Sequence, residues 1–232
     1  MMTKIILDAG HGGSDTGAVG NGLRESDIAL SVTQKVGNIL KSSGVDVIYT
    51  RTTDTKVELS TRYTQANNEK ADYFISIHAN AGGGSGTETL IYKLGNKAEP
   101  LARKIQSAIV EKLYTKNRGI KERPDLAVLK HTTMPAILIE LAFVDNVNDA
   151  YLLKHKQTEF AQAIADAILS YLGITTQTNR YSNDETVHNL ISDGITTVEN
   201  KTYWENALND KIPIKASYVR ALLDRYHEKL NK

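Results

Sequence analysis

Lys4-Ile5-Ile6-Leu7-Asp8-Ala9-Gly10-His11-Gly12-Gly13 decides the fold. Ile5 to Ala9 is an apolar run of strand length closed by glycine, which predicts a first strand running into a glycine-rich loop. Working outward, Ser26 is placed to cap a helix whose Ile28, Val32, Val36, Ile39 and Leu40 share a face, ending near Gly44. Val45 to Tyr49 returns as a strand, Thr61 to Ala71 reads as a helix, and Tyr73 to Ile77 as a third strand leading into His78-Ala79-Asn80. Gly82-Gly83-Gly84-Ser85-Gly86 reads as a flexible loop. Glu88 to Leu94 makes a further strand, and the next helix stacks Leu101, Ile105, Ala108, Ile109 and Leu113. Leu126 to Leu129 and Ala136 to Leu141 are the last strand candidates, before a helix sharing Phe160, Ile164, Ala167, Ile168 and Tyr171 that stops at Gly173. Strands alternating with amphipathic helices predict an α/β domain, a mostly parallel twisted sheet flanked by helices.

That domain occupies residues 1–174. Residues 175–183 shift to Thr, Gln, Asn and Ser and read as a linker. Residues 184–232 hold three short helical patterns and predict a small all-α module. A unit of that size, without cysteine to cross-link it, is expected to dimerise or to lean on its neighbour. Its Tyr203, Trp204, Tyr218 and Tyr226 suit a carbohydrate platform, although aromatics at helical spacing also build cores.

Charge narrows the function classes. Up to Ile174 there are 20 basic against 19 acidic residues, and beyond it 8 against 8, so no part carries the basic excess of a nucleic-acid binder. The chain opens with too short an apolar stretch for a signal peptide, which predicts synthesis in the cytoplasm. No stretch approaches the roughly 18 apolar residues of a membrane span, so no membrane insertion is expected. With no cysteine, a metal site has to use His, Asp or Glu. No Gly-Lys-Ser or Gly-Lys-Thr follows the glycine-rich segments, which argues against a nucleotide site.

A hydrolytic zinc site needs three protein ligands and one open position. His11 stands just past the first strand and His78 just past another, where the carboxyl ends of parallel strands gather catalytic groups. Glu25, at the entry to the first helix, reaches the same edge. Glu140 interrupts the apolar run Ala136-Ile137-Leu138-Ile139-Glu140-Leu141, where a carboxylate is costly without a partner or a task. Each residue also has an ordinary reading. A histidine in a loop is commonly a hydrogen-bonded surface group, Glu25 suits a helix N-terminus through the macrodipole, and Glu140 could pair with Arg51 or Arg62.

Leu7 to Gly13, Gly17-Ala18, Glu25, Thr50-Arg51, Ser76 to Asn80 and Pro135 to Glu140, in this order over residues 3 to about 173, resemble the zinc-dependent N-acetylmuramoyl-L-alanine amidases of the amidase-3 type. The resemblance implies that His11, Glu25 and His78 bind zinc and that Glu140 is the catalytic carboxylate. It also implies peptidoglycan as substrate, cut between N-acetylmuramic acid and L-alanine. The family's catalytic Glu is commonly followed by a small residue and then Gly-Phe; here Leu141-Ala142-Phe143 follows, and a modest backbone adjustment is expected. Asn117 to Lys121 also resembles the family and is a candidate for the substrate groove. His131 is a candidate supporting donor, with a structural role the simpler expectation, and His155, His188 and His227 sit in helical patterns. A catalytic domain with a short C-terminal module resembles a bacteriophage endolysin, in which that module would bind the cell wall; bacterial autolysins and spore-lytic enzymes share the layout. A zinc peptidase acting within the stem peptide, or a non-catalytic wall-binding protein, are the alternatives.

Overall fold

The structure, a computed structural model, describes residues 2–174. The expected linker at 175–183 and the expected helical module at 184–232 lie outside the described residues.

Six strands form the main sheet: β1 (Lys4–Ala9), β4 (Asp46–Tyr49), β5 (Tyr73–Asn80), β6 (Thr87–Ile91), β7 (Asn117–Glu122) and β8 (Ala136–Phe143). Their order is β4-β1-β5-β8-β6-β7, and every pairing is parallel except β6 with β8. A small hairpin, β2 (Val19–Gly20) with β3 (Leu23–Arg24), precedes the first helix. The helices are α1 (Glu25–Ser42), α2 (Leu59–Asn68), α3 (Glu99–Leu113), α4 (Ala127–Lys130), α5 (Val147–His155) and α6 (Gln157–Tyr171). The mostly parallel α/β sheet expected from the alternation is therefore the one found.

Period-two alternation sorts the sheet into two unequal faces. Ile5, Leu7, Ile75, Ile77, Ile137 and Ile139 point to one side and pack with the apolar faces of α1, α3 and α6. Ile6, Phe74, Leu90 and Leu138 point to the other, where they meet Ala66 of α2 and Val128 and Leu129 of α4. Burial of each such Ile or Leu side chain stabilises the fold by about 1.5–3 kcal/mol. The second face turns polar as the strands rise: Ile6 is followed by Asp8, Phe74 by Ser76 and His78, and Leu138 by Glu140. On that face α2 and α4 cover the apolar rows, and a cleft of about 600 Å³ opens onto Asp8, His78, Leu90, Leu138 and Glu140.

Several local expectations are corrected. Leu126 to Leu129 is not a strand; it enters the short helix α4, because its apolar side chains plug the gap between α2 and the sheet. Ser26 is not the cap of α1. The N-cap is Arg24, and the first donors are taken by loop carbonyls, Glu25 N to Ala18 O at 2.9 Å and Ser26 N to Thr16 O at 3.1 Å. His78 lies within β5 rather than beyond it, since pairing with the long strand β8 carries β5 on to Asn80. The Gly82 to Gly86 loop is held at both ends: Asp145 accepts from Gly82 N and Gly83 N at 2.8 Å each, and Asp149 accepts from Gly86 N at 2.7 Å.

Candidate metal centre

Three chain segments deliver three donors to one end of the cleft. His11 follows β1, where Gly10 N bonds Ile77 O at 3.0 Å and keeps the chain alongside β5. Gly10 has no room for a side chain, because a Cβ there would overlap the His78 ring. Glu25 is the first residue of α1 and is pinned by a reciprocal pair with Ala18: Glu25 N donates to Ala18 O, and Ala18 N donates to Glu25 Oε2 at 2.9 Å. Gly17, at φ +61°, passes so close that a Cβ would strike both Glu25 and the His11 ring.

Glu25 Oε1 lies 3.2 Å from His11 Nε2 and 2.8 Å from His78 Nδ1, and accepts from Ala79 N at 3.2 Å. The two imidazoles stand edge to face at 79° with centroids 5.0 Å apart. One donor atom from each of His11, Glu25 and His78 lies within 4.8 Å of the others. Two imidazole nitrogens and a carboxylate oxygen, converging beside an open cleft, make a donor set that fits a divalent transition metal. Asp15 Oδ2 faces His11 Nδ1 at 2.9 Å, which directs the other nitrogen of that ring to Glu25.

The electrostatics agree with a site built for a cation. A hydrogen bond to Glu25 raises the His11 imidazole to about 9, with burial opposing and Asp15 assisting. Burial by itself would lift the Glu25 carboxyl, but hydrogen bonds from both imidazoles outweigh it and hold the group well below the usual carboxylate range. Burial would likewise depress His78, yet Glu25 and the charge of Glu140 keep it raised. Metal-free, the cluster retains protons that a metal would have to displace.

Glu140 pairs with His78 in the register of β8 against β5. Its Oε2 is fully buried without a hydrogen-bond partner among the described residues, and burial lifts the carboxyl to about 7. The ion pair with Arg51 or Arg62 that would have explained Glu140 does not exist. Arg62 pairs with Asp8 at 2.6 Å, and Arg51 donates to main-chain carbonyls. The register shifts between the pairs His78 with Glu140 and Asn80 with Phe143, in the stretch holding Leu141 and Ala142. Thr87 Oγ1 bonds Leu141 O at 2.6 Å, and Asp149 accepts from Phe143 N at 3.0 Å.

Arg118 and Lys121 on β7 both bond Glu88 at 2.6 Å, the residue opposite Glu140 on β6, and Glu88 also accepts from Asn80. His131 is not brought to the cluster; its ring leans on Tyr63 at 5.0 Å. Sequence reading missed Asp15, Asp8, Glu88 and Asp149. Asp8 carries the signal that exposed Glu140, an acid in an apolar strand, whereas Asp15 and Asp149 sit in polar surroundings that give none. No helix among the described residues is long and apolar enough to cross a membrane.

Comparison with known proteins identifies the family. The family Amidase_3, N-acetylmuramoyl-L-alanine amidase, matches residues 5–170. A sporulation-specific N-acetylmuramoyl-L-alanine amidase of Bacillus subtilis (strain 168) is 41% identical over 71% of this chain and 64% of its own length. An endolysin of Bacillus phage SPP1 is 41% identical over 75% of this chain and 68% of its own. The catalytic domain of CwlV, an N-acetylmuramoyl-L-alanine amidase from Bacillus (Paenibacillus) polymyxa var. colistinus, superposes with a TM-score of 0.71 at 35% identity, covering 75% of this chain and all of that domain. With a family match over residues 5–170, a span that includes His11, Glu25, His78 and Glu140, the chain belongs to the N-acetylmuramoyl-L-alanine amidases of the Amidase_3 family.

Proposed function

We propose that this protein hydrolyses the amide bond between N-acetylmuramic acid and L-alanine in peptidoglycan, with zinc held by His11, Glu25 and His78 and with Glu140 as the catalytic carboxylate. The observation that carries the reading is the pairing of His78 with Glu140 across two strands, which sets a half-buried carboxylate, one oxygen of it enclosed and without a partner among the described residues, beside a two-imidazole, one-carboxylate cluster. Zinc, when bound, supplies a Lewis acid for the amide carbonyl. The chain's own residues do the rest. His11 offers Nε2 and His78 offers Nδ1, the nitrogens that face Glu25. Glu140, raised to about 7, is matched to taking a proton from the attacking water and returning it to the departing alanine nitrogen. The cleft between Lys56 to Leu59 and Arg123 to Val128 gives the substrate a trough leading to these groups.

The test is zinc content together with release of free amino groups and reducing ends from purified peptidoglycan, for the parent and for Glu140→Gln. Amino groups without reducing ends from the parent, and neither from a zinc-loaded variant, support the amidase. Fragments lacking an N-terminal alanine would indicate a peptidase acting within the stem peptide. A parent that releases no amino groups would indicate a binding protein.

We infer cell-wall targeting for residues 184–232, because an enzyme on an insoluble polymer gains effective concentration from a tethered binder. Deletion of 175–232 is expected to weaken wall binding and to spare zinc; unchanged wall binding would remove this role. The relatives include an endolysin and a sporulation amidase, and both fit the proposed reaction.

A further inference from the structure

We propose that Arg51 and Arg62 are positioning residues of the metal centre, two buried guanidiniums that hold the His11 loop by its main-chain carbonyls in the shape that ligation needs. The inference rests on the His11, Glu25 and His78 reading above. The side chains are only 4% and 3% exposed. Arg62 bonds Ala9 O at 2.5 Å with Nη1 and His11 O at 2.8 Å with Nη2. Arg51 bonds Ala9 O at 3.0 Å with Nε, and its Nη2 bonds both Gly10 O at 2.7 Å and Ser26 O at 2.8 Å.

These bonds answer a local problem. Where β1 ends at Ala9, the carbonyls of residues 9 to 11 leave the sheet ladder and need donors. His11 also stands at φ 57°, a left-handed conformation that L side chains avoid and keep only when their surroundings enforce it. Arg62 grips the carbonyl of that residue itself. Arg51 adds a connection: one nitrogen bridges the carbonyl beside His11 to the carbonyl beside Glu25, so two ligand-bearing segments are joined through a single group. Asp8 supplies the countercharge, bonded to Arg62 and steadied by Thr50 Oγ1 at 2.7 Å and Ser76 Oγ at 2.6 Å. A lysine keeps the charge but lacks the planar fork, and one ammonium cannot reproduce Arg62's bonds to Asp8, Ala9, His11 and Val57.

The experiment measures zinc affinity by chelator competition for the full chain, alongside thermal unfolding of the metal-free protein. The variants are Arg62→Lys, Arg51→Lys and Thr50→Val. Thr50→Val loosens the same buried cluster without touching a carbonyl of residues 9 to 11, so it registers lost stability alone. We expect zinc affinity to fall about 10- to 100-fold in each Lys variant, the range typical of groups that orient metal ligands, and to stay within about twofold in Thr50→Val. If a Lys variant folds only with metal, the zinc concentration at its refolding midpoint is compared with that of Thr50→Val, and a value about tenfold higher supports the proposal. Lys variants that match Thr50→Val by either measure overturn it. A parent that binds no zinc would instead overturn the metal centre itself.

Discussion

Glu140 stands beside His78 in the parallel register of two buried strands, and its Oε2 has no hydrogen-bond partner among the described residues. An unsatisfied buried polar atom costs about 1–3 kcal/mol, so the fold carries this carboxylate at a loss. Glu140→Gln is expected to keep zinc, to lower turnover by on the order of 10²–10⁴ and to leave the metal-free thermal midpoint unchanged or higher. Calorimetry in chelator, paired with the release assay, checks both parts. A clear fall in the midpoint would mean that Glu140 holds the fold together rather than serving the reaction.

Without metal, the cluster should also give the fold a characteristic pH dependence. His11 is raised in the folded state from 6.5 to about 9, chiefly by its bond to Glu25. Its contribution is therefore complete below about 6.5, declines as pH climbs toward 9, and is gone above that. Glu25 is depressed, so its contribution is present above its unfolded value near 4.5 and fades as pH falls below it. Glu140, raised from 4.5 to about 7 by burial, removes stability as pH climbs through that range, so metal-free stability should be greatest at about pH 4.5 to 5. Denaturant titrations in chelator from pH 4 to 9 test this, and His11→Ala should flatten the alkaline side; a parent curve already flat between pH 6.5 and 9 would contradict the pairing.

The main strands and helices were legible because their apolar period is strong: Ile5, Ile6 and Leu7, or Val32, Val36 and Leu40, have one comfortable arrangement each. His11, Glu25, His78 and Glu140 could be named because each stands at a strand end, a helix entry or in an apolar run that makes its charge conspicuous. Less could be read where pairing decides structure. β7, Asn117–Glu122, is polar with no fully buried residue, and becomes a strand by lying parallel to β6. Leu126 to Leu129 has too few residues for period two or 3.6 to be told apart, and contact with α2 settles it as helix. Charge alone makes Arg51 and Arg62 alternative partners for Glu140. Main-chain carbonyls take most of their donors instead, and no side-chain pattern announces a carbonyl.

Gly10 offers a steric test of the same centre. A methyl group at this position would overlap the His78 ring, and the backbone cannot retreat while Gly10 N is bonded to Ile77 O. Gly10→Ala should displace His78 and abolish tight zinc binding, with a stability loss of about 1–3 kcal/mol from overpacking. Chelator competition and denaturant unfolding measure the two effects. Gly22→Ala is the control: Gly22 has a positive φ of 74° but open space around its Cβ position, so it should lose some stability and no zinc affinity. Equal losses of zinc in both variants would show that the site responds to general destabilisation and not to crowding of His78.

Asp149 tests the anchoring of the strand that carries Glu140. It is 6% exposed, and its Oδ2 accepts from both Phe143 N and Gly86 N, tying the strand that carries Glu140 to the loop between β5 and β6. Asp149→Ala leaves two N–H groups without an acceptor, a loss of about 2–6 kcal/mol if neither finds water. Asp149→Asn keeps an acceptor oxygen and should recover part of that stability. Because Asp149 touches no member of the His11, Glu25 and His78 cluster, zinc affinity should hold in both variants while turnover falls in step with the displacement of Glu140. Turnover recovered by Asn more than by Ala, at constant zinc content, would place the effect on the carboxylate. A parallel loss of zinc in the folded Ala variant would instead mean that the metal cluster and the Glu140 strand move as one unit, and that Asp149 steadies both.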